Sequence, residues 1–426
     1  MSKDSICESN SCLNFLDLFA GCGGLSEGFI RAGYLPVAHV EMDKAASNSL
    51  KTRMCYHWLK QNNKISVYYD YLNKKISREK LYSSVPLEII NSVINEEISD
   101  NTLDKIFVNI DKKLDKQKLF IIIGGPPCQA YSLIGRSCEK ENMLKDKRNY
   151  LYKYYAEFLK HYKPQYFVFE NVIGLLSAKD PNGNLHLANM LQLFFEIGYV
   201  CTPYVLNAQE YGIPQNRRRV IILGTLKGNK KLELNIPKSP CKYSIDELFQ
   251  DLPKIHAGEQ SNKYSTQTNK LLLDMGIRDK KTPLTFQISR PNTKQDLLIY
   301  RLAVKKWQKE AKRLNYNDIP ATLQSHKNKI SFTDRFKVVA GNLTYSHTIV
   351  AHVAKDGHYY IHPDIKQNRS LTPREVARLQ TFPDDFYFEG IKDEICRTAA
   401  YKQIGNAVPV LLAEKIAKNI KDNLIE

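Results

Sequence analysis

The stretch "FLDLFAGCGG" (residues 15–24) joins a short apolar run to a glycine-rich turn. The apolar run predicts a buried strand. The residues after the turn predict an amphipathic helix, because Leu25, Phe29 and Ala32 share one helical face. A second strand-like run, "YLPVAHVE", follows and ends on Glu41. A strand, a glycine-rich turn, a helix and a second strand in this order are typical of a doubly wound α/β domain.

The same alternation continues further along the chain. Strand-like apolar runs recur as "LFIII" (119–123), "YFVFE" (166–170) and "RVIILG" (219–224), and a tyrosine-rich helical segment (149–162) lies between the first two. Buried β-branched runs that are separated by helices are typical of parallel strands. The sequence therefore predicts an α/β fold with a mainly parallel sheet.

Two regions interrupt this pattern. Residues 74–118 carry charges of both signs and short helical patches, which predict a solvated helical insertion. A lysine-rich, irregular region begins at about residue 227, and regularity returns with the helix "TPREVARLQTF", in which Thr372 is the predicted N-cap and Pro373 the first helical residue. The predicted division is a first domain over 1–226, an inserted domain over 227–335 and a return to the first domain over 336–426.

Composition limits the possible functions. A chain of 426 residues exceeds what one core usually serves, so two domains are expected. Hydrophobic residues at 43% and charged residues at 25% are typical of a soluble protein, and no apolar stretch or leader predicts a membrane span or secretion.

The net charge of +17 favours a nucleic-acid partner, although a basic protein need not have one. The nine scattered cysteines predict reduced thiols in a cytoplasm and no metal site.

The glycine-rich turn is the first candidate site. It would present backbone N–H groups and a helix N-terminus to a ligand, and Glu41 follows at nearly the spacing at which an acidic residue reaches ribose hydroxyls. Gly21, Gly23 and Ser26 do not complete the G-x-G-x-x-G pattern. This departure favours a nucleoside cofactor without phosphates over a dinucleotide. A tight turn with no ligand is the alternative.

The segment "GGPPCQAYS" (124–132) is the second candidate. Pro126 and Pro127 restrict the backbone immediately before Cys128. The thiol would then stand at the carboxyl end of a strand, where open α/β sheets bind their ligands. Cys128 is a candidate nucleophile, and the alternative is a small buried hydrophobic residue.

Two further segments carry polar groups at strand ends. In "YFVFENV", Glu170 ends an apolar run, so it is either a proton donor at the same sheet edge as Cys128 or a helix cap. In "PQNRRRV", strand alternation would point Arg217 and Arg219 to one side and Arg218 to the other. Paired guanidinium groups suit a phosphate or a base oxygen, whereas a solvated basic run is the alternative.

These four segments, together with "RSLTPREVARLQTFPDDF" and "QIGNAVP", resemble the cytosine-C5 DNA methyltransferase family of bacterial restriction-modification systems in content and order. The resemblance covers both ends of the chain. It implies a Rossmann-like S-adenosylmethionine-dependent methyltransferase domain with a smaller inserted target-recognition domain. The implied activity is that of a DNA (cytosine-5-)-methyltransferase, which transfers a methyl group to C5 of a cytosine in a specific double-stranded DNA sequence.

The resemblance also implies roles for individual residues. Cys128 would attack C6 of a flipped-out cytosine, Glu170 would contact N3 and the exocyclic amine, and Arg219 would bind the base oxygen with Arg217 nearby. Residues implied to bind S-adenosylmethionine are Asp17, Phe19, Ala20, Gly21, Gly23, Gly24, Glu41, Pro126, Asn406 and Ala407, with Asp70 as the candidate for the adenine contact. Residues implied to contact DNA are Gln129, Ser132, Arg136 and Gln215.

Double-stranded DNA is thus the expected partner, and we expect a monomer in the bacterial cytoplasm, associated with the nucleoid through DNA. A cognate restriction endonuclease would be a functional rather than a physical partner. One alternative is a tRNA-methylating relative with the same cysteine chemistry, which the long inserted region disfavours. Another is an inactive DNA-binding regulator, which the intact Pro-Cys and Glu-Asn-Val elements disfavour.

Overall fold

The computed structural model describes residues 13–127, 150–325, 328–331 and 333–425. At its centre lies a seven-stranded sheet with the order β3-β2-β1-β4-β5-β7-β6. Its strands are β1 (Asn14–Leu18), β2 (Leu35–Val40), β3 (Val93–Ile94), β4 (Ile121–Gly124), β5 (Tyr166–Val172), β6 (Tyr199–Asn207) and β7 (Arg218–Leu226). The first five strands in this order pair in parallel, and β7 runs antiparallel between β5 and β6. The predicted α/β class with a mainly parallel sheet is confirmed.

Helices cover both faces of the sheet. The helices of the described ranges are α1 (Gly24–Arg31), α2 (Lys44–Gln61), α3 (Ile65–Leu72), α4 (Arg78–Tyr82), α5 (Leu87–Asn91), α6 (Leu103–Leu114), α7 (Leu151–Tyr162), α8 (His186–Glu196), α9 (Ile245–Phe249), α10 (Lys270–Asp274), α11 (Lys294–Glu310), α12 (Pro373–Leu379), α13 (Arg397–Asn406) and α14 (Val410–Ile425). Short 3-10 helices are Ile173–Leu176, Ala208–Tyr211, Tyr316–Asp318, Ala321–Leu323 and Ala351–Ala354. Helices α1 and α14 pack on one face, and α6, α7 and α8 pack on the other. Across the part of the chain that the structure describes, no helix has the length and apolarity to cross a membrane.

The segment 74–118 is not the solvated insertion that its charges predicted. It contains β3, which pairs with β2 at the edge of the central sheet. It also contains α6, whose Ile106, Ile110 and Leu114 are buried in the same core as the sheet residues. The charged residues occupy the exposed side of α6 while one apolar stripe packs inward, which is the usual pattern of a surface helix.

Strand β6 was not among the predicted strands. It forms the edge of the sheet, and its Val200 and Val205 side chains are exposed. Pro203 interrupts the apolar pattern, as an edge strand tolerates because one side of its backbone makes no ladder hydrogen bonds. Strand β6 therefore lacks the continuous apolar run by which strands such as β4, β5 and β7 were predicted.

One part of the inserted region, around α11, forms a small separate core with Tyr300 and Tyr316, whereas the other part does not. Buried residues of α9, α10 and the following segment, such as Leu248 and Phe286, share one core with Val376 and Tyr401. In contrast, Leu232 packs in the core of the central sheet, although it falls within the predicted insertion. We propose that the second lobe runs from about Ile245 to Tyr401, so that the first predicted boundary moves from 227 to 245 and the second from 335 to 401.

Helix α12 lies within the second lobe, and its Leu379 carbonyl oxygen accepts a hydrogen bond from Gln215 of the first lobe at 3.1 Å. The predicted cap is confirmed: Thr372 Oγ1 accepts a hydrogen bond from Glu375 N at 3.2 Å, and the Glu375 carboxylate accepts one from Thr372 N at 2.8 Å. All residues of α12 are buried. Among them Arg378 has no exposed surface and binds both Asp251 of the second lobe and Asp384. Helix α12 is therefore a buried internal helix rather than a surface helix.

Candidate active site

The glycine-rich turn follows β1 and lies on the end of β2. Ala20 N donates a hydrogen bond to Val40 O at 3.1 Å, which fixes the turn to the neighbouring strand. Gly21 and Gly23 have φ values of 57° and 90°, in the left-handed region that favours glycine. Helix α1 begins immediately afterwards at Gly24, so its free N–H groups lie at the carboxyl end of the parallel strands.

The "QIGNAVP" segment returns to this turn, as predicted. A Cβ atom on Gly24 would lie 2.5 Å from Val408 O and 3.1 Å from Ala407 Cβ, so only glycine fits at this position. Asn406 ends α13 next to this contact and is exposed. Because Ala407 and Val408 pack directly against Gly24, a displacement of Ala407 would displace the turn as well.

Glu41 stands at the end of β2 and faces the turn. Its Oε2 accepts a hydrogen bond from Gly21 N at 2.8 Å, and its Oε1 accepts one from Asp43 N at 2.7 Å. Burial raises the pKa of the Glu41 carboxyl, and these two main-chain donors oppose the rise. A carboxylate oxygen has two lone pairs. Each oxygen of Glu41 can therefore accept a second hydrogen bond, for example from a ribose hydroxyl.

Asp17 is the unusual group of this site. Its side chain is 1% exposed, and among the described residues neither of its oxygens has a hydrogen-bond partner. Burial, followed by the charge of Glu41, raises the pKa of Asp17 well above its ordinary value. An unpaired buried carboxylate is costly and calls for an explanation. A positively charged ligand beside the glycine-rich turn would supply the missing partner.

The proline turn packs against the end of β5. Asn171 Nδ2 donates a hydrogen bond to the carbonyl oxygen of buried Pro126 at 3.4 Å. A Cβ atom on Gly125 would lie 2.7 Å from Glu170 Oε2, so the turn approaches the carboxylate closely. Four predicted site residues that follow this turn lie outside the described residues, namely Cys128, Gln129, Ser132 and Arg136.

Glu170 and Arg219 form an ion pair, with 2.8 Å between Oε1 and Nε. The antiparallel register of β5 and β7 places Val172 opposite Arg219, which makes Glu170 and Arg219 diagonal neighbours. Long side chains reach each other across such a diagonal. Their side chains are 14% and 11% exposed, so the pair is largely but not completely removed from water. The structure thus brings together two predicted site residues, beside the turn that leads to Cys128.

Arg217 has a different position from the one predicted. As strand alternation predicted, it points inward like Arg219 while Arg218 is exposed. However, its guanidinium binds main-chain carbonyl oxygens, at 2.5 Å to Ile349 O and 2.9 Å to Ala407 O. Burial and the neighbouring Arg219 hold the pKa of Arg217 well below its ordinary value. Arg217 therefore anchors the backbone instead of facing a reacting base.

Gln215 has a structural role rather than the predicted DNA contact. Its side chain has no exposed surface. Its amide donates to Leu379 O at 3.1 Å and to Gln380 Oε1 at 3.0 Å, and its Oε1 accepts from Ile349 N at 2.9 Å. A polar residue beside an arginine run resembles a surface loop in the sequence. The burial comes from chain segments that are distant in sequence.

The assignment of Asp70 to an adenine contact is not supported by its position. Asp70 lies on α3, is 43% exposed and pairs with Lys75 at 2.9 Å. The polar residue beside Glu41 is instead Asn95, whose Nδ2 donates to Glu41 O at 2.9 Å and to Met42 O at 3.0 Å. Asn95 was missed because β3, the strand before it, has only two residues and lies within a segment that was predicted to be an insertion.

The arrangement fits a nucleoside ligand with a positive charge. The described residues supply donors in the turn, acceptors on Glu41 and the unpaired carboxylate of Asp17. Within these same residues, no group of three or more histidine, cysteine, aspartate or glutamate side chains could hold a metal ion. The second half of the site, around Glu170 and Arg219, offers an acid and a hydrogen-bond donor to a planar polar molecule.

Comparisons with known proteins agree with this description. A family described as "C-5 cytosine-specific DNA methylase" matches residues 13–86 and 88–422. The Type II methyltransferase M.Bpa9945I of Bacillus paralicheniformis is 37% identical over 451 aligned positions, which cover 96% of this chain and 98% of the relative. The Type II methyltransferase M.DdeI of Desulfomicrobium norvegicum is 32% identical, with 96% and 88% covered.

Solved structures share the fold at lower sequence identity. A chain encoded within a prophage (E. coli) superimposes with a TM-score of 0.61 at 23% identity, covering 97% of this chain and 100% of the other. The Entamoeba histolytica methyltransferase EhMeth gives a TM-score of 0.55 at 14% identity, with 98% and 100% covered. These two likenesses concern the fold alone.

Proposed function

Because the chain belongs to the C-5 cytosine-specific DNA methylase family and is a DNA (cytosine-5-)-methyltransferase, we propose that it methylates C5 of a cytosine within one specific double-stranded sequence through covalent catalysis by Cys128. The observation that carries the proposal is the Glu170–Arg219 ion pair. It lies against the proline turn whose next residue after Pro127 is Cys128. An acid, a guanidinium and a thiol at one sheet edge are what this chemistry requires.

S-adenosylmethionine is the proposed methyl donor, and it would supply a methyl group on a positively charged sulfonium. Asp17, whose oxygens have no partner, would attract that cation, the N–H groups of the glycine-rich turn would bind the polar end of the molecule, and Glu41 would accept hydrogen bonds from the ribose. Asn95 replaces Asp70 as the candidate at the adenine end, since it lies beside Glu41. The remaining residues proposed to line this pocket are Phe19, Ala20, Pro126, Asn406 and Ala407.

The protein side chains divide the chemistry between them. The Cys128 thiolate attacks C6 of cytosine and forms an S–C6 bond, while Glu170 donates a proton or hydrogen bond to N3. The electrons of the C5–C6 bond then become available at C5, which would bond to the methyl carbon while the bond between that carbon and the sulfonium sulfur breaks and a neutral thioether leaves. A base removes the proton from C5, the C5–C6 double bond is restored, and Cys128 leaves as a thiolate. Arg219 holds Glu170 in place and offers further donors to the base oxygen.

Cytosine C6 is not accessible within a duplex, so the target nucleotide must be flipped out of the helix. Extrusion costs a few kcal/mol in lost stacking and pairing. The net charge of +17 supports binding to the phosphate backbone, which holds the duplex while the base is extruded. The second lobe, whose helix α12 contacts Gln215 just before β7, is the proposed site of sequence recognition.

The relatives carry the name Type II methyltransferase, which supports a role in restriction-modification. We propose that methylation protects the DNA of a bacterial host from a cognate restriction endonuclease that reads the same sequence. The two enzymes would share a target and not a physical interface. The protein would act as a monomer in the cytoplasm, on nucleoid DNA.

The decisive experiment traps the covalent complex. The target sequence is first found by bisulfite sequencing of host DNA with and without the gene. A duplex with 5-fluorocytosine at the target position is then incubated with the protein and S-adenosylmethionine. We expect an adduct that resists denaturation for the wild type and none for Cys128→Ser, because the fluorine cannot be removed as the C5 proton is. An adduct with tRNA and none with DNA would instead establish the tRNA-methylating alternative.

A further inference from the structure

A buried polar cluster of three side chains, Gln215, Arg217 and Gln380, lies between the two halves of the site. Arg217 is 1% exposed, and Gln215 and Gln380 have no exposed surface. The Arg217 guanidinium donates to Ile349 O at 2.5 Å, to Ala407 O at 2.9 Å and to Gly405 O at 3.3 Å. In the described part of the chain, no carboxylate forms an ion pair with Arg217, and its Nε has no partner.

This placement of a cation is electrostatically unfavourable. The guanidinium is removed from water and bound by carbonyl dipoles, and the like charge of Arg219 lowers the pKa of Arg217 more than the charge of Glu170 raises it. An apolar side chain of similar size would fill the same volume without this cost. Arg217 is therefore better explained by the segments that its guanidinium joins than by a contribution to stability.

The two amides of the cluster join the same segments. Gln215 bonds to Gln380 Oε1 at 3.0 Å and accepts from Ile349 N at 2.9 Å. Gln380 Nε2 donates to Ile404 O at 2.8 Å and to Ala407 O at 3.2 Å. The Ala407 carbonyl oxygen thus accepts hydrogen bonds from both Arg217 and Gln380, which fixes its position from two directions.

Each end of the cluster leads to one half of the site. On one side, Arg219 follows Arg217 by two residues and pairs with Glu170. On the other side, Ala407 lies directly behind Gly24 of the glycine-rich turn. We propose that Arg217 is a positioning residue that couples the base site to the cofactor site, by holding the start of β7 and the 405–407 segment in one fixed arrangement.

Coupling of this kind has a measurable consequence. A ligand that orders one side of the cluster also orders the other side, so each ligand raises the affinity for the other by the same factor. This inference rests on the proposed function, because it assumes that Glu170 and Arg219 contact the base and that the glycine-rich turn contacts the cofactor. It adds the statement that Arg217 and Gln380 carry the coupling without touching either ligand.

The test measures this factor directly. S-adenosylhomocysteine, which has no methyl group to transfer, is titrated into the wild type with and without a short duplex that carries the cytosine found by bisulfite sequencing. We expect the duplex to raise its affinity by about 5- to 150-fold, the usual range of allosteric coupling. In Arg217→Met the factor should fall below about twofold, while the affinity for each ligand alone changes less than the factor does. Arg217→Lys, which keeps the charge but not the planar set of donors, should retain part of it.

Two further variants keep the result interpretable if Arg217→Met does not fold. Gln380→Met removes donors to Ile404 and Ala407 without a change of charge and should lower the coupling factor in the same direction. Lys231→Met removes a cation from an exposed pair with Glu233 and should leave the factor unchanged. An unchanged factor in the variants that fold, or a wild-type factor of one, would overturn the inference alone. Absence of any cofactor or DNA binding by the wild type would overturn the proposed function as well.

Discussion

Glu170 Oε1 and Arg219 Nε lie 2.8 Å apart across two antiparallel strands. The pair lies near the carboxyl end of β5, and the glycine-rich turn follows the carboxyl end of the parallel strand β1. The pair has a chemical consequence, because a carboxylate held by a guanidinium is oriented before a base arrives. Orientation of this kind removes reorganisation from the reaction step. The close approach of Gly125 to the same carboxylate ties the proline turn to this arrangement.

The first prediction concerns Glu170→Gln. The amide keeps the shape of the side chain but cannot transfer a proton to N3, so the single-turnover methylation rate should fall by about 10²- to 10⁴-fold. DNA affinity, measured by gel shift, should stay close to that of the wild type. Glu196→Gln on the exposed end of α8 is the matched control and should be fully active. A rate near that of the wild type in Glu170→Gln would leave Glu170 with only a structural role.

The second prediction concerns Asp17→Asn, for which stability and binding should change in opposite directions. Removal of an unpaired buried charge should raise the free energy of unfolding of the protein without cofactor by about 1–3 kcal/mol at pH 7. The affinity for S-adenosylmethionine, measured by calorimetry, should fall because the cation loses its counter-charge. Weaker binding together with lower stability would point to general damage instead.

Asp17 also predicts a pH dependence. Its pKa is raised in the folded protein, so the stabilisation it gives is complete below its unfolded pKa and is lost as pH rises through the folded value. The contribution of Asp17 to the stability of the protein without cofactor should therefore fall as pH rises above about 4, the ordinary pKa of an aspartate. Urea unfolding should show that Asp17→Asn gains stability relative to the wild type over the same range. Equal slopes for the two proteins would contradict the assignment.

The sequence predicted those parts of the fold that depend on local pattern. Strands β1, β4 and β5 are continuous apolar runs, and the cap at Thr372 is a local hydrogen-bond arrangement. The short edge strand β3 and the half-exposed edge strand β6 have no such pattern, so they become recognisable only through their neighbours. The antiparallel direction of β7 has no local signal either, since an apolar run does not reveal its direction.

For the site residues, too, local sequence pattern predicted only some of the positions. The glycine-rich turn follows β1, Glu170 lies near the end of β5 and Arg219 near the start of β7, so these sites could be placed from local apolar runs. Gln215 and Arg217 could not, because the partners that bury them belong to segments more than 100 residues away in the chain. Sequence reasoning treats such polar residues as exposed, whereas their hydrogen bonds make burial possible.

The third prediction concerns the buried ionic contacts around α12. Burial alone would raise the pKa of Glu375, but the charges of Arg369 and His362 outweigh it and lower the pKa to about 2. Glu375→Gln leaves Arg369 without its counter-ion and should cost about 3–5 kcal/mol of unfolding free energy at pH 7. Thermal or urea unfolding measures this loss. Lys270→Gln, which breaks an exposed pair with Asp274, should cost less than about 1 kcal/mol.

The cost of Glu375→Gln should depend on pH. Because the folded pKa is depressed, the stabilisation is complete above the ordinary value of 4.5 and is lost as pH falls through about 2. The difference in stability between wild type and variant should therefore narrow over this interval. His362, whose pKa burial lowers to about 4, adds acid sensitivity of its own, so the comparison is sharpest below that pH. A constant difference down to pH 2 would contradict the ionic assignment.

The last prediction separates Asn95 from Asp70 at the cofactor site. Asn95→Ala removes two hydrogen bonds that hold the main chain of Glu41 and Met42, and it removes the side chain that is proposed to contact the adenine. One hydrogen bond from Asn95 to the adenine is worth about 0.5–1.5 kcal/mol, so the affinity for S-adenosylmethionine should fall by about 2- to 13-fold. Asp70→Asn changes only an exposed pair with Lys75 and should leave that affinity unchanged. The reverse result would return the adenine contact to α3, and it would require α3 to approach Glu41 in the bound protein. Calorimetric titration of both variants with S-adenosylhomocysteine distinguishes the two cases without any need for DNA.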